Sequence, residues 1–155
     1  MLSQKQQRDI AATGLFVLGI FLLVALIPTS VLGSRGAEWF PSGNMMGWVG
    51  DAVRRVLTAL LGISSIFLSG LLIFGGLRMS EWLSVGWATR LSILMGGLLL
   101  IVPFGLGILG RDPQTVGRWG ELVGPPLTTA FGVLGASLVV VLLLVALSVG
   151  TLGWN

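Results

Sequence analysis

Asp51, Arg54 and Arg55 are charged side chains spaced to act as one group. On a helix, positions three and four apart share a face, so the aspartate reaches both arginines. The bland use is a set of helix-surface ion pairs. The sharper one is a pair of guanidinium groups offered to lipid headgroups. Ser64, Ser65 and Ser69 are a second concentration of polar groups. Their hydroxyls either bond back to carbonyls of their own helix or bridge to a neighbouring one. Little else invites chemistry. The chain has no histidine and no cysteine, which removes the usual axial ligand, metal ligand and neutral-pH proton shuttle. It has no G-x-x-x-x-G-K-[ST] loop, no H-E-x-x-H and no G-x-S-x-G. These residues predict no catalytic group, no cofactor and no metal.

The elements that would position these groups are written in hydropathy. Of 155 residues, 54% are hydrophobic and 10% charged, against about 25% charged in soluble domains. The run Phe131–Gly153 carries no charge. About 20 such residues at 1.5 Å each cross the ~30 Å hydrocarbon layer, where only a helix pairs every backbone amide. Comparable runs predict spans over Ile10–Leu32, Val56–Leu77, Leu91–Leu109 and Leu127–Leu152, in a single membrane domain of the whole chain. The first resembles a secretory signal but is longer than a signal core and lacks an A-x-A-like site, so it reads as a retained helix. Met45–Arg55, with Met46, Val49, Ala52 and Val53 on one face, predicts a short amphipathic helix before the second span. Continued to Leu77 it would be about 50 Å long, so a bend, a tilt or a surface-lying portion is expected. Pro103 should kink or loosen the third helix, and Pro125 and Pro126 should open the fourth.

Twenty-four glycines are a packing signal, because glycine lets helix backbones approach in lipid. Gly14, Gly19, Gly62, Gly96, Gly97, Gly132 and Gly135 are the candidate contact points. Gly135→Leu is therefore expected to disturb assembly more than Gly43→Leu. Trp39, Trp48, Trp82, Trp87 and Trp119, with Arg54 and Arg55, are candidate interfacial anchors. An internal repeat is also expected. Gly47-Trp48-Val49-Gly50 precedes Gly62, as Gly120-Glu121-Leu122-Val123-Gly124 precedes Gly135. The fold expected is thus all-α and integral to the membrane, with four transmembrane helices as two tandem hairpins. Orientation is balanced. Lys5, Arg8, Arg78 and Arg90 fall on one side, and Arg35, Arg54, Arg55, Arg111 and Arg118 on the other. The first helix, with its basic start, favours cytoplasmic termini. Leu152–Asn155 stops at the membrane edge without a basic anchor, as expected of the first part of a longer chain.

The order of these elements resembles the N-terminal four-helix membrane domain of the FtsK/SpoIIIE family of bacterial DNA translocases. The resemblance runs from Ile10 to Asn155. It rests on Asn44-Met45-Met46-Gly47-Trp48-Val49-Gly50 leading through Gly62, on Gly75-Gly76-Leu77-Arg78, and on Gly120 to Gly135 with Ala136. The first loop departs from it in lacking an Asp-Pro-Ser-type turn. The resemblance implies a non-catalytic anchor and oligomerisation domain in the bacterial cytoplasmic membrane, serving cell division and chromosome partition. Its partners would be the lipid bilayer, copies of itself or other membrane proteins, and this segment would not bind nucleic acid. The rival expectation is a small accessory structural subunit of a photosynthetic or respiratory complex. A small transporter is the third. No Asp, Glu, Lys or Arg lies mid-span, and such residues are the usual mark of ion pathways.

Overall fold

The computed structural model describes residues 3–33 and 35–153. The described residues are helical, without strands. Six α-helices follow one another: α1 Gln4–Leu26, α2 Arg35–Trp39, α3 Gly47–Leu61, α4 Ser65–Met79, α5 Val85–Ile108 and α6 Pro113–Leu152. Four stretches are long and apolar enough to cross a membrane: Gln4–Leu26, Gly47–Met79, Val85–Ile108 and Pro113–Leu152.

Local chemistry sets most of the ends. Ser3 caps α1 reciprocally, its hydroxyl accepting from the Gln6 amide at 3.2 Å while Gln6 Oε1 accepts from the Ser3 amide at 2.9 Å. The helix therefore begins inside the polar head. It stops at Leu26 rather than Leu32. Ile27 precedes Pro28, and the proline ring pushes it to an extended conformation (φ −73°, ψ 121°). α5 runs through Pro103 to Ile108 without a break. α6 opens at Pro113, not at Pro126. Pro125 and Pro126 lie inside it, and the Thr128 and Thr129 hydroxyls donate to the Pro125 carbonyl at 2.8 and 2.9 Å. The real interruptions are glycines in backbone conformations closed to other residues. Gly62 (φ 60°, ψ −144°) separates α3 from α4. Gly117 (φ 70°, ψ 165°) and Gly132 (φ 68°, ψ 169°) divide α6 into a first turn at 113–116, a 118–131 segment and a 133–152 segment.

The spans form an open row. α1 packs on α4, α4 on α5 and α5 on α6, while among the described residues α1 and α6 share no extensive contact. Glycines set the closest approaches. A Cβ on Gly19 would stand 2.8 Å from the Ile73 amide nitrogen, and one on Gly76 would stand 2.7 Å from the Ala12 carbonyl oxygen. These contacts make α1 and α4 antiparallel. Gly97 against Leu147 and Gly124 against Gly107 do the same for α5 and α6. Both ends of α3 lie at one end of the row. Asn44, just before it, bonds Ala25 at the end of α1, and Gly62, just after it, meets Thr115 beyond the end of α5. α3 therefore crosses that end instead of running along the spans.

Little is buried. The main core cluster is Ile108, Ala136 and Val140, with Phe104, Leu127 and Leu144 partly buried against it. Leu134 is 83% exposed and Leu138 69%. At about 25 cal/mol per Å², such apolar surface is unfavourable in water and costs nothing in hydrocarbon. By this exposure and by helix length the chain reads as a multi-pass membrane protein.

Adjacent glycines on α4 give a direct test of the packing. Gly76→Ala should lower stability by about 1–3 kcal/mol, because its methyl would press on the backbone of α1. Gly75→Ala meets open space and should be neutral, or stabilise by up to about 1 kcal/mol through helix propensity. Thermal unfolding in detergent distinguishes the two.

Candidate functional site

The most elaborate arrangement of polar groups and close backbones lies where α3 ends and α6 begins. Positions 51, 54 and 55 fall on one face of α3, and Asp51 is nearly buried there. Its Oδ1 accepts from Arg54 Nη2 at 2.8 Å, and its Oδ2 accepts from Arg55 Nε at 2.9 Å and from Arg55 Nη2. Both arginines, with Thr58, Ala59 and Gln114, line a cavity of about 450 Å³. The Arg54 Nε is buried and has no hydrogen-bond partner among the described residues. Asp51 answers one of the two positive charges within one turn. The group holds a surface helix together, and the Arg55 side chain, 77% exposed, keeps the remaining charge at the surface.

Beside it, Gly62 and Gly117 touch backbone to backbone. A Cβ on Gly62 would lie 2.6 Å from the carbonyl carbons of Thr115 and Val116. One on Gly117 would lie 2.6 Å from that of Leu61 and 2.8 Å from the Leu60 oxygen. Each kink thus fills the gap that the other leaves.

The two kinks also reset the repeat. Left-handed glycines recur fifteen residues apart, at Gly47 and Gly62 and again at Gly117 and Gly132. In that register Gly47-x-x-Gly50-Asp51-x-Val53-x-x-x-Leu57-Thr58-x-x-x-Gly62 overlays Gly117-x-x-Gly120-Glu121-x-Val123-x-x-x-Leu127-Thr128-x-x-x-Gly132. The equivalents of Gly47 and Gly62 are thus Gly117 and Gly132, rather than Gly120 and Gly135. The acid, the valine and the Leu-Thr pair were a signal for this register. Matching by glycine alone slipped it by three residues.

The expected contact glycines fall into two groups. Gly19 meets Ile73, Gly62 meets Thr115 and Val116, and Gly97 meets Leu147. Gly96 is only in ordinary contact with Leu71, and Gly135 meets Phe131 of its own helix. Gly14 and Gly132 face open space. Gly43 has a φ of 71°, so any side chain there is strained, and the expected contrast between Gly135→Leu and Gly43→Leu loses its basis. Gly70, Gly76, Gly107, Gly120 and Gly124 make close contacts that sequence spacing did not single out.

Of the serines, Ser65 and Ser69 donate to the carbonyls of Gly62 and Ile66, at 2.8 and 2.6 Å. The fully buried Ser64 hydroxyl has no partner among the described residues. Trp82 and Trp87 sit near the connection from α4 to α5. Trp39, Trp48 and Trp119 sit toward the opposite end of the row. Trp48 and Trp82 are more than three-quarters exposed. Trp82 meets Phe16 edge-on at 6.3 Å, and Trp119 lies 5.7 Å from Phe104. A second cavity, of about 580 Å³, opens near the exposed Arg8–Glu81 ion pair (2.8 Å). Among the described residues, no group of three or more His, Cys, Asp or Glu could hold a metal ion. No family model matches this chain, and no solved structure matches it.

Proposed function

We propose that the chain is a membrane anchor and oligomerisation domain of a bacterial DNA translocase of the FtsK/SpoIIIE type. It sits in the cytoplasmic membrane with both termini on the cytoplasmic side and performs no catalysis by itself. The observation that carries the reading is the open row of spans. A helix row whose two outer members each keep an unpacked apolar side suits assembly, whereas a carrier needs a closed path between its helices. The glycine motifs around Gly62 and Gly120 that resemble the translocase family lie at points of close backbone packing.

In this reading α1 with α4 and α5 with α6 are two tandem hairpins. α3 is the amphipathic helix, lying in the headgroup layer on its apolar side. The tryptophans at the two ends of the row form the aromatic belts. The mechanism is passive: packed helices hold a motor at the membrane and set how many copies gather.

Reading the gene past the codon for Asn155 tests the assignment. A polar linker followed by a G-x-x-x-x-G-K-[ST] loop is the expected result. A stop codon, beside genes for a respiratory or photosynthetic complex, would replace it with the accessory-subunit reading.

A further inference from the structure

α4 lies between α1 and α5 in the row, and one of its faces stays open between them. Leu71, Leu72, Gly75, Arg78 and Met79 share about 120° of its circumference and form the floor of the groove of about 580 Å³. Arg8 and Leu15 of α1 wall the groove on one side, and Val85 and Ser92 of α5 on the other. The adjacent glycines of α4 therefore do different things. Gly76 lets the backbone of α1 approach, whereas a Cβ on Gly75 would meet nothing within 4 Å. The side chain missing at Gly75 is open space on the groove floor.

Charge is confined to one end of the groove, where Arg8, Arg78 and Glu81 form its mouth. From there the walls run inward for two helical turns, from Arg8 to Leu15, from Arg78 back to Leu71 and from Val85 to Ser92. At 1.5 Å per residue that is about 10 Å, most of one hydrocarbon leaflet of roughly 15 Å. The Glu81 carboxylate is taken by Arg8 at 2.8 Å. The Arg78 guanidinium makes no ion pair or hydrogen bond among the described residues. Two guanidinium groups against one carboxylate leave a single positive charge at the mouth, carried by Arg78.

We propose that this groove holds one anionic phospholipid, with its phosphate diester against Arg78 and an acyl chain over Gly75 between α1 and α5. A phosphatidylglycerol-type headgroup carries one negative charge, which matches the one positive charge left unanswered. A zwitterionic headgroup would bring an ammonium group as well, and the carboxylate that could receive it is already engaged by Arg8. A water-soluble phosphate ester would reach the arginine and leave the apolar walls unfilled. Gly75 is thus accounted for by room for a lipid chain, as Gly76 is by contact between helices. The inference needs only that the chain spans a membrane, and it is independent of the translocase reading.

Thermal unfolding of the purified chain in detergent tests this as three compounds are added in turn: phosphatidylglycerol, phosphatidylcholine, and glycerophosphoglycerol, which is the first headgroup without its acyl chains. Phosphatidylglycerol should raise the unfolding temperature saturably, and the other two should not at the same concentration. Arg78→Gln should weaken that binding about fivefold, the usual share of one basic side chain beside an anionic headgroup. Gly75→Leu should abolish it by filling the floor. Both variants should fold, since the Arg78 guanidinium has no protein partner to lose and Gly75 faces open space. Arg90→Gln, near the same end of α5 but outside the groove, should bind as the parent chain does. Equal weakening by Arg90→Gln and Arg78→Gln would mean diffuse surface charge and overturn the proposal. So would unchanged binding in Gly75→Leu. Equal stabilisation of the parent chain by phosphatidylcholine or by glycerophosphoglycerol would overturn it without recourse to any variant.

Discussion

Gly62→Ala is expected to destabilise the chain by about 3–5 kcal/mol, against about 1–3 kcal/mol for Gly132→Ala, when both are measured by unfolding in dilute detergent. The two glycines share a left-handed φ, 60° and 68°. Alanine at either must be strained or must abandon the kink, which accounts for the common part of the loss. Their surroundings differ. The new methyl at 62 would collide with the Thr115–Val116 backbone, and the one at 132 meets nothing. Backbone cannot rotate aside as a side-chain end can, so α3 and α6 must separate. The difference between the variants isolates the cost of that separation. Equal losses would mean that the kink matters only for its conformation and that the junction between repeats is incidental.

Asn44→Leu should cost about 2–4 kcal/mol, since it leaves a buried carbonyl and a part-buried amide unanswered. The Asn44 side chain is fully buried. Its Nδ2 donates to the Ala25 carbonyl at 2.7 Å, and its Oδ1 accepts from the Met46 amide at 2.8 Å. One side chain thus closes the end of α1 and the start of α3 together. Leucine has the size but neither the donor nor the acceptor. Ser42→Ala nearby removes an exposed hydroxyl bonded to the Asn44 carbonyl at 3.1 Å and should change stability by less than about 0.5 kcal/mol. Tryptophan fluorescence, with Trp48 close to the site, follows both. A silent Asn44→Leu variant would remove the side chain from any part in holding α3 across the end of the row.

Several features were legible before any coordinates. Charge-free runs of hydrocarbon length located all four long helices. The need of a 50 Å stretch to bend was plain from its length, and the bend falls at Gly62. Others were not legible. The first span was drawn six residues too long because hydropathy carries on through Ile27–Leu32, while the helix is stopped by the ring of Pro28. Asn44 read as one more polar loop residue. Its role depends on Ala25, nineteen positions away, and no local pattern reports that contact. Gly14 and Gly19 looked alike as thin points of one helix, yet only Gly19 meets another helix.

Hydropathy is a sum over neighbours along the chain, so the sequence alone determined the solvent, the helical class and the number of hydrocarbon-length helices. It also determined that no histidine or cysteine chemistry is possible. Which glycines meet a backbone and which face open space was decided only in three dimensions. A missing side chain looks the same in either setting until the opposing helix is in place. The pairing of Gly62 with Gly117, and the vacancy at Gly47 and Gly132, belong to that second kind of knowledge.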